Sequence, residues 1–203
     1  MDAPLDYQTT ALLLLDFQVG FLQRLPQDSL VVDHAASALA IARRHRAQIA
    51  YVRAALDDTE INEVPDHSIS FAVFKTNEDM RAAIHPDAKT TQIHPKLAPR
   101  VGDLLYRKIR FGPLMTGPSK AMLEDFTTKG IKTVVLGGIT TSGVVLSTVR
   151  QLGDLNFRLI VLEDCCADHD AELHEMLCEK VLPRQAKVIK SSELDGLFGT
   201  AAT

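Results

Sequence analysis

Three places in the sequence combine reactive groups with the end of a short apolar run. Asp16 follows four consecutive leucines, Lys108 ends a later apolar run, and residues 137–143 (Gly-Gly-Ile-Thr-Thr-Ser-Gly) lead from another run into a helical pattern. A carboxylate at the end of a buried strand loses hydration, which raises its pKa and suits it to proton transfer. Lys108 could hold this carboxylate or stabilise a developing anion. The backbone N–H groups of the glycine turn could bind an anion.

Each of these features also has a purely structural interpretation. Asp16 could cap the turn that follows its strand, and Lys108 could lie with its aliphatic stem along a strand end. The turn at 137–143 is not a P-loop, because the Gly-Lys-Ser/Thr ending is missing. Chemistry is therefore expected only if the fold brings the three places together.

The elements that would position them alternate between short apolar runs and longer amphipathic ones, which is typical of a parallel sheet with crossover helices. Several runs are continuously apolar, as in strands covered on both faces. The predicted strands are Thr10–Asp16, Gln48–Ala54, Asp103–Lys108, Thr133–Gly138, Arg158–Glu163 and Ala186–Ile189. The predicted helices are Ser29–Arg46, Pro118–Lys129, Ser142–Leu152 and Ala171–Leu182, with Ser29 as the N-cap of the first.

This pattern predicts an α/β fold with a doubly wound, Rossmann-like parallel sheet of about six strands and helices on both faces. In such sheets ligands bind outside the carboxyl ends of the strands, where the strand order reverses. Asp16, Lys108 and the 137–143 turn all fall at strand ends, so we expect them to meet in one pocket. The segment from Leu56 to Val101 interrupts the alternation and contains four prolines. Such a long excursion is expected either to be functional or to contact a partner subunit.

Length and composition indicate an ordinary globular chain. The 203 residues fit one domain, with 46% hydrophobic and 24% charged residues. The net charge of −4 argues against nucleic acid and anionic membranes as partners. No apolar run approaches the ~20 residues that span a bilayer. Three cysteines, two of them adjacent, do not resemble a disulfide framework, so we expect a cytoplasmic protein.

Neither a metal site nor a cysteine nucleophile is indicated by spacing. The seven histidines form no His-x-x-x-His pair, and Cys165-Cys166 lacks a second cysteine pair at zinc-site spacing. The polar cluster Asp168-His169-Asp170 is interpreted as helix capping. Cys165, Cys166 and Cys178 are expected to pack in the interior. We therefore expect no metal and no cofactor.

The strand ends, taken together, resemble the isochorismatase-like family, also called cysteine hydrolases. The opening Leu-Leu-Leu-Asp16-Phe17-Gln18 resembles the family's first strand with its catalytic aspartate. Residues 97–103, followed by Lys108-Ile109-Arg110-Phe111, resemble the approach to its catalytic lysine. Residues 138–144 resemble the nucleophile turn, especially the Thr-Thr-Ser-Gly-Cys form of carbamoylsarcosine amidases, and residues 162–168 match the next family landmark. The resemblance spans nearly the whole chain and implies one domain over residues 1–203.

The same alignment places Val144 where the family carries its cysteine. A valine cannot attack a carbonyl, so this position does not supply the nucleophile for the usual thioester route to amide hydrolysis. The metal ligands of nicotinamidases are also not evident, since Asp57 and Asp58 are not followed by a histidine pair. The resemblance further implies a cis peptide bond between Ile139 and Thr140.

Isochorismatases also lack the cysteine and cleave a vinyl ether, with the carboxyl group as general acid. The resemblance therefore implies a hydrolase of a small, anionic or carbonyl-bearing metabolite, with Asp16 as acid or base and Lys108 as its electrostatic partner. Isochorismatases carry a different turn before the missing cysteine, so the resemblance does not identify isochorismate itself as the substrate. The expected substrate-binding residues are Phe17, Phe21, Arg110, Phe111, Thr140, Thr141, Ser142 and Gly143.

Two alternatives remain open. Ser142 could replace the nucleophile, although it is well placed to cap the helix instead. The chain could also be a catalytically silent binding or assembly protein that keeps the fold, although a retained buried charge pair argues against this. A homo-oligomer, dimer or tetramer, is expected from the resemblance and from the 56–101 segment.

Overall fold

The computed structural model describes residues 3–199, so residues 1, 2 and 200–203 of the predicted domain lie outside the described part of the chain. Six strands form its single sheet, close to the positions predicted from the sequence. They are β1 (Thr10–Leu15), β2 (Gln48–Ala54), β3 (Leu104–Lys108), β4 (Thr133–Ile139), β5 (Arg158–Ala167) and β6 (Lys187–Ile189).

The sheet is open and parallel throughout, with the order β3-β2-β1-β4-β5-β6. The chain builds one half outward from β1 to β3, and then returns to build the other half outward from β4. The strand order therefore reverses between β1 and β4, which is where ligands bind in this class of sheet. Asp16 follows β1 and Thr140 follows β4, so both leave the sheet at this point.

Both faces of the sheet are covered, as the continuous apolar runs predict. On β1, Leu12 and Leu14 pack against α2 (Val31–Arg44), whereas Ala11, Leu13 and Leu15 pack on the opposite face. That second face is covered by α6 (Ala121–Thr128) and α7 (Leu146–Asp154). Successive side chains of a strand point to opposite faces, so a buried strand must be apolar at every position.

Shorter helices complete the α/β architecture. With the three helices named above, they are numbered in chain order: α1 (Val19–Leu22), α3 (Asp58–Asn62), α4 (Val73–Thr76), α5 (Glu78–Ile84), α8 (Ala171–Met176) and α9 (Leu194–Leu197). The excursion from Leu56 to Val101 contains α3, α4 and α5, which pack as a small apolar cluster around Ile61, Val64 and Ile84. This segment lies beside the carboxyl end of the sheet.

The predicted ends of some elements were wrong. Ser29 is not the N-cap of α2: its N–H is bonded to the Pro26 carbonyl in a turn, and Leu30 takes the capping position without a side-chain hydrogen bond. Strand β5 does not stop at Glu163, because a bulge in the β4–β5 ladder lets Gly138 and Ile139 pair with Cys166 and Ala167. The helix predicted from Ser142 begins with a π-helical turn at Thr141–Val145.

The last predicted helix is also interrupted. Its first part is α8, after which the chain forms a π-helical turn at Leu177–Val181 and a 3-10 turn at Leu182–Arg184. Pro183 lies in the last of these turns. Proline has no N–H to donate and its ring clashes with the preceding turn, which explains why the helix is not continued there. None of the helices in residues 3–199 is long and apolar enough to cross a membrane.

Candidate active site

Asp16 lies at the point where the strand order reverses and is held in an unusual backbone conformation. Its φ is 55°, in the left-handed region that aspartate tolerates better than most residues. Its N–H donates to the Val52 carbonyl at 2.8 Å, and its own carbonyl accepts from the Gln18 N–H at 2.7 Å. The chain therefore turns sharply after β1 and leaves the Asp16 carboxylate over the strand ends.

Close packing of the glycines in β4 brings the two halves of the sheet together at this point. A methyl group on Gly138 would come within 2.5 Å of the Leu15 Cβ, and one on Gly137 would come within 2.7 Å of the Cys165 Cβ. Any larger residue would push β4 away from β1 or β5. The two glycines thus determine how closely the Asp16 turn and the 139–145 turn approach each other.

Lys108 pairs with Asp16 from the far side of β2. The Lys108 Nζ lies 2.7 Å from Asp16 Oδ2, and both side chains are almost fully buried. The same Nζ donates to the Arg110 carbonyl at 3.1 Å. Since β2 lies between β1 and β3, the lysine side chain must cross the end of β2, where Ala54 is the register partner of Lys108. The prediction that Asp16 and Lys108 meet is thus consistent with the geometry.

The other oxygen of Asp16 has no hydrogen-bond partner among the described residues. Oδ1 is buried and unpaired, although Asp16 lines a cavity. Burial raises the pKa of the Asp16 carboxyl above its ordinary value, while the charge and the hydrogen bond of Lys108 partly oppose this rise. The nearby Ala54 N–H opposes it as well, but that N–H donates its hydrogen bond to Gln18 Oε1 at 2.6 Å and not to Asp16 Oδ1. A buried oxygen without a partner is costly, so Oδ1 is placed to hold a proton or to bond a ligand in the cavity.

Gln18 positions the Asp16 turn, a role not recognised in the sequence. Its Oε1 accepts from the Ala54 N–H at 2.6 Å, and its Nε2 donates to the carbonyls of Ala54 and Thr91 at 2.8 and 3.1 Å. The fully used amide ties the end of β1 to the end of β2 and to the 56–101 segment. A glutamine directly after an apolar strand was the available signal, since a buried amide must find partners of this kind.

The turn after β4 is held from outside by α8 and the residues before it. The Ile139–Thr140 peptide bond is cis, as the family resemblance implied. The Ser142 N–H donates to Asp168 Oδ2 at 2.8 Å, and Thr141 Oγ1 is bonded to His174 Nδ1 at 2.8 Å. Thus the Asp168 carboxylate satisfies the start of this helix, and the expected capping by the Ser142 side chain was wrong.

A cavity of about 280 Å³ opens in front of Asp16 and Lys108. The 139–145 turn contributes Thr140, Gly143 and Val144 to its wall. The 56–101 segment closes the opposite side with Phe71 and Phe74, so the functional alternative for this segment agrees with its position. Phe71 and Phe74 were not predicted to line the site. The feature of the sequence that could have indicated them is their spacing, which is that of one helix face, within a stretch that contains several prolines.

Positive charge surrounds the cavity. Arg24 and Arg110 line it together with Lys108, whereas Asp16 is the only acidic residue in the described lining. The Arg110 guanidinium stacks over the Phe71 ring with 5.0 Å between its Cζ and the ring centroid, and Phe71 in turn meets Phe111 edge to face. Neither arginine forms an ion pair with a carboxylate within residues 3–199. The arrangement favours a small anion.

The structure places the predicted substrate-binding residues in two groups. Phe21, Arg110, Phe111, Thr140 and Gly143 line the cavity, as does Val144. Phe17 instead packs in the core against the α2 face of the sheet and is only 1% exposed. Its predicted place in the pocket disagrees with this packing, because the sharp turn at Asp16 directs the next side chain to the opposite side.

Like Phe17, Thr141 and Ser142 were predicted to bind substrate but do not line the cavity. Thr141 is fully buried with its hydroxyl turned to His174, and Ser142 contacts Asp168 through its backbone. Both hold the turn rather than line the cavity wall. Arg24 and His169 line the cavity but were not predicted. They come from short loops whose sequence carries no periodic signal.

The three cysteines are buried, as predicted. Burial is the largest cause that raises the pKa of each thiol, to about 11 for Cys178. Cys178 lies 3.8 Å from His174 Nδ1, but that imidazole is already engaged by Thr141. A neutral, buried thiol is a poor nucleophile. Within residues 3–199 no three His, Cys, Asp or Glu side chains are grouped so that they could hold a metal ion. Asp57 caps α3, and Asp58 is bonded to Arg81.

Comparison with known proteins identifies the family. The isochorismatase domain model matches residues 10–193, and the chain therefore belongs to the isochorismatase family. Membership in this family supports a hydrolase. An uncharacterised isochorismatase family protein of Bacillus subtilis (strain 168) is 27% identical over 90% of both chains.

Two further similarities agree with this membership. A maleamate amidohydrolase of Pseudomonas putida is 25% identical over 81% of this chain and 75% of its own. The crystal structure of an isochorismatase family protein from Burkholderia thailandensis superposes with a TM-score of 0.79 at 20% identity, covering 98% of this chain and all of that one. The predicted family and the predicted open α/β sheet are thus confirmed.

Proposed function

We propose that the protein hydrolyses a small anionic metabolite by acid–base chemistry of Asp16, without a cysteine nucleophile. One observation carries the proposal: the Asp16 carboxyl uses Oδ2 for Lys108 and leaves Oδ1 buried, unpaired and at the cavity wall. A carboxyl whose pKa is raised by burial retains its proton to higher pH, so it can serve as an acid in this position.

An isochorismate-type vinyl ether is the substrate that best suits this arrangement. The Asp16 carboxylic acid protonates the terminal carbon of the enol ether, and the resulting oxocarbenium ion is attacked by water. The hemiketal collapses to pyruvate and an alcohol, and the proton released by the water returns to Asp16. Lys108 stabilises the transient carboxylate, as its ammonium group lies at hydrogen-bond distance. No protein nucleophile is required.

The cavity charge supports an anionic substrate. Arg24, Lys108 and Arg110 line the cavity, and only Lys108 is paired with an acid. A carboxylate on the substrate would supply the missing partner for the two arginines. Guanidinium groups are well suited to this role because they bind carboxylates with two parallel hydrogen bonds.

Val144 separates this mechanism from amide hydrolysis through a thioester. We propose that it stands at the position of the family's nucleophile, since it lines the cavity beside Thr140 and Gly143. The similarity to a maleamate amidohydrolase makes amides of small dicarboxylic acids the competing substrate class. Ser142 would then be the first candidate nucleophile. Its described contact with Asp168 is made by the backbone N–H, so this contact does not give the Ser142 hydroxyl a base partner.

The test is product analysis with isochorismate and, in parallel, a panel of small amides and carbamoyl compounds. We expect pyruvate release from isochorismate that is lost in Asp16→Asn and retained in Asp28→Asn, an exposed acid used as a matched control. Amide cleavage that is lost in Ser142→Ala would contradict the nucleophile-free mechanism. Full activity of Asp16→Asn on any substrate would contradict the role of Asp16.

The second candidate function is ligand binding without turnover, which the valine at position 144 favours. It is distinguished by thermal unfolding in the presence of each compound. A ligand that raises the unfolding temperature of the wild type but is not converted indicates a silent binding protein. Loss of this stabilisation in both Asp16→Asn and Lys108→Met locates the ligand in the cavity.

A further inference from the structure

A second cavity of about 250 Å³ lies directly beside the first. We call the cavity in front of Asp16 the main cavity and this second one the side cavity. Five residues line both cavities: Phe21, Arg24, Phe74, Met80 and Ile84. Six further residues line the side cavity alone: Gln18, Gly20, Gln23, Ala83, Thr90 and Thr91. The shared wall makes the side cavity an extension of the candidate active site.

Three of the polar side chains that line the side cavity, those of Gln18, Thr90 and Thr91, are already hydrogen-bonded within the protein. The Gln18 amide is bonded to Ala54 and Thr91, and the Thr90 hydroxyl donates to the Ala83 carbonyl. The Thr91 hydroxyl is bonded to backbone carbonyls of the same segment. Gln23, an exposed residue, is the polar uncharged side chain of this lining whose amide has no hydrogen-bond partner among the described residues. A ligand in the side cavity would otherwise meet mainly apolar groups.

Arg24 is the charged side chain of the side-cavity lining; it lines both cavities and forms no ion pair with a carboxylate in the described part of the chain. Its guanidinium is placed to hold an anionic group where the two cavities meet. An apolar cavity of about 150 Å³ is enough to bind benzene in a well-studied engineered protein. The side cavity thus has room for a group of about the size of a phenyl ring.

We propose that the side cavity binds an apolar arm of the substrate, while the carboxylate of the same molecule is held by Arg24 and its reacting end lies at Asp16. This inference rests on the proposed function and narrows its substrate class to carboxylates that carry a ring-sized apolar group. The selectivity comes from α5, whose Met80, Ala83 and Ile84 share one helix face towards the side cavity.

The test uses butyrate and 4-phenylbutyrate as probes in isothermal titration calorimetry. We expect the phenyl compound to bind the wild type at least about tenfold more tightly, equivalent to about 1.4 kcal/mol. Ala83→Phe fills the side cavity alone and should abolish this preference without weakening butyrate. Ala82→Phe is the matched control, because Ala82 is an exposed neighbour on the same helix that lines neither cavity.

The outcomes separate this inference from the proposed function. Asp16→Asn should keep the preference for 4-phenylbutyrate even though it removes turnover, because the apolar arm does not contact the carboxyl. Equal affinity of the wild type for both probes, no binding of either, or an unchanged preference in Ala83→Phe would overturn the inference. An unaltered turnover in Asp16→Asn would overturn the proposed function but leave the preference unaffected.

Discussion

The Asp16 carboxylate meets the Lys108 ammonium group through only one of its two oxygens. The Oδ2–Nζ distance is 2.7 Å, whereas Oδ1 is buried without a partner. A purely structural ion pair in the interior would be expected to satisfy both oxygens, because each buried lone oxygen costs free energy. The Asp16–Lys108 ion pair therefore leaves one carboxylate oxygen free to take part in the proposed chemistry.

Lys108→Met should destabilise the protein in a pH-dependent manner. Burial raises the Asp16 pKa and Lys108 opposes this, so its removal raises the folded-state pKa further above the unfolded value of about 3.9. Stability from such a group is fully present below the unfolded pKa and is lost as the pH rises through the folded pKa. We expect a loss of about 3–5 kcal/mol near neutral pH and a smaller loss at acidic pH.

Urea denaturation between about pH 5 and pH 8 measures this effect. The double variant Asp16→Asn/Lys108→Met is the control, since it has no buried charge at this position and should lack the added pH slope. A Lys108→Met protein as stable as the wild type at neutral pH would show that the pair contributes nothing to the fold.

The activity of the wild type should fall as the pH rises through the Asp16 pKa. An acid catalyst must carry its proton, and burial raises the pKa of this carboxyl, so the active form persists above the ordinary aspartate range. The profile of kcat/KM against pH, measured on the substrate found in the panel, checks this. A rate that instead increases with pH over the same range would indicate that Asp16 acts as a base.

Asp168→Ala should weaken both the fold and the site. Its carboxylate accepts the Ser142 N–H at the start of the helix that follows β4, and loss of such a cap costs about 1 kcal/mol. Asp170→Ala is the matched control, because Asp170 caps α8 in the same way through the Leu173 N–H. Both variants should lose similar stability in urea, but only Asp168→Ala should lower kcat. Equal kcat values in the two variants would contradict a role of Asp168 in positioning the 139–145 turn for catalysis.

Val144→Cys should create a single reactive thiol. Val144 lines the main cavity together with Lys108, whose positive charge favours a thiolate. The native cysteines are buried, and their pKa values are raised by that burial. Mass spectrometry after brief treatment of the folded protein with iodoacetamide should show one modification in the variant and none in the wild type. Val144 is itself only 2% exposed, so the expected reactivity depends on its place in the cavity lining beside Lys108 and not on a higher solvent exposure than the native cysteines have. An unmodified variant would argue against the access of reagent to Val144 through the main cavity.

Much of the fold could be predicted because the signal is local. Residues 11–15 of β1 must all be apolar because both faces of the sheet are covered, and the consecutive leucines indicate this directly. The residues of α2 that pack in the core recur in the sequence at helical spacing. Where the prediction failed, a contact distant in sequence was responsible. Strand β5 continues past Glu163 only because Gly138 and Ile139 offer it partners after a bulge.

The sequence by itself determined the class of the sheet, the family and the residues with reactive groups, since periodicity and short motifs are properties of neighbouring residues. It could not show that Asp16 is half-satisfied or that Phe17 faces the core, because both follow from a left-handed turn and from packing across strands. The cavity wall of Phe71 and Phe74 and the positions of Arg24 and His169 were likewise decided only by tertiary structure. A pocket forms between segments that are distant in sequence, and its shape depends on how these segments pack together in the folded chain.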